Sequence, residues 1–115
     1  MISKVNNSIQ VLRWEENITL KNIEHFRQTM EHLIELEEEF LILNLSQITY
    51  INSAGLGVIA DSVMQSRKNQ KELVIAEINE AVKEIFAIVK FTSFMKIFAT
   101  EAEALDYFKV SHEEK

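Results

Sequence analysis

A chain of 115 residues with a net charge of −6 at pH 7, no cysteine and no proline is long enough for one hydrophobic core but not for a second lobe with a core of its own. Its acidity argues against nucleic acid, which is bound by clustered Lys and Arg, and the absence of cysteine removes disulfides and thiolate chemistry and fits an intracellular, cytoplasmic protein. No apolar run approaches the roughly 18 residues a membrane span needs, and the opening MISKVNNSIQ is polar where a signal peptide is apolar, so neither membrane insertion nor secretion is expected.

Ile2 to Val5 reads as a short strand, Asn6-Asn7-Ser8 as a turn, and Ile9 to Trp14 as a second strand in which Ile9 and Val11 alternate with polar positions. Together they predict an N-terminal hairpin. From Leu20 the period becomes helical: Leu20, Ile23, Phe26, Met30, Leu33 and Ile34 share one face, and Lys21, Glu24, Arg27, Glu31 and Glu35 share the other, with Thr19 placed as N-cap. Glu35, Glu37, Glu38 and Glu39 read as the solvated end of that helix. Phe40 to Leu45 is nearly all apolar, as in a central strand covered on both faces. A helix is predicted over about Ala54 to Asn69, with Leu56, Ile59, Ala60 and Val63 inward. A strand at Glu72 to Glu77 follows, then a helix at about Glu80 to Val89 capped by Asn79, a short strand near Lys96 to Ala99, a helix from Glu101 to Phe108 and a frayed tail from Ser111. Met30, Met64, Met95 and the Phe residues are expected in the core. The order predicts one α/β domain over residues 1–115, with a mixed sheet of about five strands, parallel in its interior, and about four helices.

Few constellations of chemical interest survive inspection. His25 and His32 are separated by about 10 Å along their helix at 1.5 Å per residue, too far to share a metal, and His112 is in the tail. There is no GxxxxGK[ST], GxGxxG or GxSxG pattern, so neither nucleotide nor hydrolase chemistry is expected. No metal, no cofactor and no enzymatic activity are anticipated.

The exception is INSAGLGVIA, Ile51 to Ala60, which holds both glycines of the chain, Gly55 and Gly57, just after Ser53. Ser53 falls between the end of a central strand and the start of the next helix, where open α/β sheets bind ligands and partners. A hydroxyl there can cap free backbone N–H groups. The glycines each cost the helix about 0.5–1 kcal/mol relative to alanine, so a close approach must compensate. The bare first turn, at the positive end of the helix dipole, suits a phosphoryl group or another protein's backbone.

The runs LILNLSQITYINSAGLGVIADSVMQSRKN, ELVIAEINEAVKEIFAI and FMKIFATEAEAL together resemble a STAS domain of the anti-sigma factor antagonist type, over a core of about Ile9 to Phe108. The family's Asp-Ser-[Ser/Thr/Ala]-Gly-Leu-Gly is matched from Ser53 through Ala54, Gly55, Leu56 and Gly57, and the resemblance implies that Ser53 is the residue phosphorylated by an anti-sigma factor that is also a serine kinase. It implies a partner-binding surface made by Asn17, Ile18, Thr19, Asn52, Ser53, Ala54, Gly55, Leu56 and Gly57. Two positions depart from the pattern. The Asp before the serine is Asn52, and the family's Gly-x-[Leu/Ile]-Asp is matched by Glu16-Asn17-Ile18-Thr19. If the family's carboxylates position the serine for a kinase, transfer to Ser53 is slowed; if they oppose a bound phosphate, the phosphorylated form is stabilised. The implied function is an anti-sigma factor antagonist switched by phosphorylation of Ser53. The alternative is an unmodified STAS scaffold or ligand-binding subunit of a signalling or lipid-transport complex.

Overall fold

The structure, a computed structural model, describes residues 1–5 and 8–113. Strand β1 (Ile2–Val5) and β2 (Ile9–Arg13) are followed by α1 (Ile23–Glu35), β3 (Phe40–Asn44), α2 (Ser53–Lys68), β4 (Glu72–Ala76), α3 (Glu80–Ile88), a single 3-10 turn at Phe91–Ser93, β5 (Ile97–Phe98) and α4 (Glu101–Glu113). The strands lie side by side in chain order, β1-β2-β3-β4-β5. β1 runs antiparallel to β2 and the remaining pairs are parallel, in a register that sets Ile9 beside Phe40 and Phe40 beside Glu72. This is the mixed sheet expected from the alternation of patterns. Of the turn expected at Asn6-Asn7-Ser8, Asn6 and Asn7 lie outside the described residues.

Successive side chains of a strand point to opposite faces, so the apolar run of β3 feeds two cores. Leu41 and Leu43 meet Phe26, Met30 and Leu33 of α1, Ile59 and Val63 of α2 and Val82 and Phe86 of α3. Phe40 and Ile42 face the other way, with Val74 and Ala76 of β4, onto Ala104 and Phe108 of α4, where the Phe40 and Phe108 rings stack at 4.8 Å. Three helices therefore cover one face and one helix the other.

Several local expectations are corrected. Helix α1 starts at Ile23 after Asn22, and Thr19 is in the preceding turn, its hydroxyl accepting from Lys21 N at 3.2 Å instead of capping the helix. Leu20, placed on the buried face by periodicity, is therefore outside the helix and 85% exposed. Met64 is on the outer side of α2 and 48% exposed, while Met30 and Met95 are buried. Phe26, Phe40, Phe86 and Phe108 are core, whereas Phe91, Phe94 and Phe98 are only partly buried. Helix α4 continues past Phe108 to Glu113. In the acidic run, Glu38 is not simply solvated: it pairs with Lys4 at 3.0 Å and accepts from Gln10 Nε2 at 2.7 Å. Those hydrogen bonds, from Gln10 first and then Lys4, hold its carboxyl below the usual value.

Neither glycine has a positive φ; the left-handed positions are taken by Gln70, Glu77 and Lys90. Both glycines sit inside α2, so backbone conformation selects neither of them, and only at Gly55 does the space inside the fold require a glycine.

Candidate functional site

The parallel strands β2, β3 and β4 deliver their C-terminal ends to one edge of the sheet, where the loops to α1, α2 and α3 begin. The first two loops are joined by a parallel β-bridge between Ile18 and Ile51. Ile18 N donates to Tyr50 O at 3.1 Å and Asn52 N donates to Ile18 O at 3.0 Å. Asn17 fastens the same pair of loops through its side chain, its Oδ1 accepting from Thr49 N at 2.8 Å and Tyr50 N at 3.2 Å. Asn22 Nδ2 in turn donates to Asn17 O at 2.7 Å, and Asn79 Nδ2, at the start of α3, donates to Ile48 O. With no glycine or proline in these loops, asparagine amides satisfy the irregular backbone instead.

This cross-linked platform sets the entrance of α2. Asn52 is its N-cap in extended conformation, its Oδ1 accepting from Gly55 N at 2.8 Å. Asn52 O also accepts from Leu56 N at 3.1 Å. Ser53 is thereby the first helical residue, exposed, and its hydroxyl makes no hydrogen bond among the described residues. The capping that a serine could perform is done by the residue before it. The first turn of α2 carries no acidic side chain.

The nine residues singled out from the sequence do converge here, in different capacities. Ser53, Ala54 and Gly57 are exposed on α2, and Asn52 and Leu56 are half-buried. Ile18 is fully buried and Gly55 is buried beneath it. A Cβ on Gly55 would come within 2.6 Å of Ile18 Cγ2 and 2.8 Å of Ile51 Cγ1, whereas one on Gly57 would meet nothing within 4 Å. The close approach demanded by the two glycines is thus internal at Gly55, where the loop bridge rests on the helix, and open to the outside only at Gly57. Ile18 and Gly55 shape the surface without being part of it. Asn17 and Thr19 occupy the neighbouring loop, Asn17 as a fastener and Thr19 half-buried in the turn.

Sequence reasoning missed two features of this edge. Tyr50, half exposed beside the bridge, is part of the same surface. On the α4 side, Glu101 accepts from both Nε and Nη2 of Arg13, at 3.1 and 2.6 Å, and from buried Asn44 Nδ2 at 2.9 Å. These partners are far apart in sequence, and no local spacing announces them.

Residues 1–104 match the STAS domain family. A relative from Bordetella bronchiseptica that bears the name anti-sigma factor antagonist BtrV is 31% identical over 90 residues, covering 78% of this chain and 78% of its own. The chain is a STAS domain protein of the anti-sigma factor antagonist family. Among solved structures, the STAS fold recurs in unphosphorylated SpoIIAA, with a TM-score of 0.77 at 17% identity over 95% of both chains. SpoIIAA, a Bacillus cell fate determinant, has also been solved in its phosphorylated form. The fold is shared equally by the STAS domain of a SulP transporter from Vibrio cholerae, with a TM-score of 0.76 at 15% identity over 98% of this chain and 89% of that one. In this STAS protein no helix among the described residues is long and apolar enough to cross a membrane.

The role of Asn52 is open to direct test. Asn52→Ala removes the acceptor for Gly55 N and is expected to cost about 1 kcal/mol in a urea titration, while Asn52→Asp, an equally good cap, leaves stability close to wild type.

Proposed function

We propose that the protein binds a kinase-type anti-sigma factor through the Ser53 end of α2 and is released from it by phosphorylation of Ser53. The observation that carries this reading is the condition of Ser53: an exposed hydroxyl at the first helical position, relieved of capping duty by Asn52 and without a hydrogen-bond partner among the described residues. In the transfer step the Ser53 oxygen bonds to the γ-phosphorus of ATP held by the partner. The bond from that phosphorus to ADP breaks, and the hydroxyl proton passes to a base of the partner. Asn17, Thr19 and Asn52 hold the loops that frame the acceptor; Ala54, Leu56 and Gly57 form the helical part of the contact.

Phosphate adds about −1.5 to −2 charge at this point. The N-terminal dipole of α2 and the absence of acidic side chains in its first turn favour that charge by about 0.3–1 kcal/mol, so the fold does not have to rearrange. With Asn52 in place of an aspartate, the phosphorylated form escapes a neighbouring carboxylate. A partner surface that covered the hydroxyl must now desolvate a dianion, at a cost of several kcal/mol unless a cation meets it. Each 1.4 kcal/mol is about tenfold in affinity.

The test combines intact mass of protein purified from its own host with calorimetry against a kinase-type anti-sigma factor. The expected results are a single phosphate on Ser53, retained binding by Ser53→Ala, and binding at least about tenfold weaker by Ser53→Asp with nearly unchanged stability. If Ser53→Asp binds as wild type does and no phosphate is found, the protein is an unmodified STAS scaffold.

A further inference from the structure

We propose that the groove between α1 and α2 is a docking surface for a cationic amphipathic helix of a protein partner. The two helices lie on the same face of the sheet, and an open groove of about 800 Å³ runs between their outward sides. Glu31 and Glu35 of α1 and Asp61 of α2 line it. Arg27 is the one Lys or Arg among the lining residues, and its Nη1 is held by both carboxylate oxygens of Glu24, at 2.5 and 2.7 Å, which neutralises it. The groove therefore presents uncompensated negative charge, and what seats there carries the opposite sign.

Its base supplies the second half of the match. Gly57 leaves space that no other side chain enters, since a Cβ there would meet nothing within 4 Å. Ser62, only 4% exposed, lines the groove, and its hydroxyl has no hydrogen-bond partner among the described residues. That hydroxyl is not sealed off: it opens onto the groove, where it is free to bond to whatever seats there. An α1 of 13 residues gives the groove a wall of about 20 Å, the length of several helical turns. Negative walls flanking a bare strip fit a helix that lays small apolar residues over Gly57 and extends lysines or arginines to Asp61, Glu31 and Glu35. A small polycation would satisfy the charge but leave the bare strip uncovered. The groove is complete in the unmodified chain, so this docking does not depend on phosphorylation of Ser53.

The test titrates a synthetic amphipathic peptide of leucine, alanine and lysine into the ¹⁵N-labelled full chain and follows amide shifts. Saturable shifts confined to the outward residues of α1 and α2 are expected. Gly57→Leu, which fills the groove without changing charge, and the double variant Glu35→Lys with Asp61→Lys are each expected to weaken binding at least about tenfold. A charge-matched control elsewhere on the surface, Glu84→Lys with Asp106→Lys, is expected to bind within about twofold of wild type. Shifts scattered over the acidic surface, equal loss in the control, or wild-type binding by Gly57→Leu would each overturn the assignment. So would complete competition by spermine, which would make the groove a small-cation site.

Discussion

Phe26→Ala is expected to lower the stability of the protein by about 3–5 kcal/mol, as truncation of a fully buried phenylalanine does. Phe26 has no exposed surface and stands where α1 meets the sheet, its ring edge-on to Trp14 at 4.9 Å between centroids. Removing it leaves a cavity bordered by α1 and the end of β2, and neither can collapse freely. The α1 side is fixed by Met30 and Leu33, and the β2 side by its parallel pairing with β3. In a domain of this size the loss corresponds to a fall in melting temperature on the order of 15 °C. Trp14, the single tryptophan of the chain and only 6% exposed, reports the change directly. Its emission should shift to the red in native Phe26→Ala and its unfolding midpoint in urea should drop. A loss below about 1.5 kcal/mol would show that α1 repacks and that Phe26 is not the anchor of this face.

The same substitution at the two glycines should have opposite results. Gly55→Leu is expected to cost about 3 kcal/mol or more, because its first side-chain carbon already falls at 2.6 and 2.8 Å from Ile18 and Ile51. Neither neighbour is the loose end of a flexible chain. Both are buried β-branched residues, and they are pinned by the bridge in which Ile18 N donates to Tyr50 O and Asn52 N to Ile18 O. Making room means breaking that bridge, which also displaces the cap on α2. Gly57→Leu meets open space and exchanges a poor helix former for a good one, so stability should hold or rise by up to about 1 kcal/mol. Partner binding should be lost in both, through a distorted platform at Gly55 and a filled surface at Gly57. Urea midpoints beside calorimetry separate the two causes; equal destabilisation would refute the division of labour between them.

Much of this protein was legible in its sequence because the relevant physics is local and periodic. The alternation of apolar strands with amphipathic helices determined the element order and the parallel interior of the sheet, and SAGLG located the entrance of α2, since two glycines near a serine make little sense in an ordinary helix. Local reasoning failed where a partner distant in the chain decided the outcome. Periodicity carried Leu20 into α1 with Thr19 as its cap, but the Asn22 side-chain amide, accepting from Thr19 N and donating to Asn17 O, holds that segment as a turn and leaves Leu20 outside the helix. Spacing showed that Glu38 lies in an acidic run, but not that Lys4 and Gln10 of the N-terminal hairpin reach it. The two glycines looked alike in sequence, and only the Ile18–Ile51 bridge made one of them interior and left the other open. Likewise Ser53 read as a cap until the extended conformation of Asn52 turned its own amide onto Gly55 N, freeing the hydroxyl. Composition and period determine which elements form and which faces they bury; the space around a residue, and the hydrogen bonds left over for it, belong to the packed assembly, because they depend on atoms that the chain brings together only by folding.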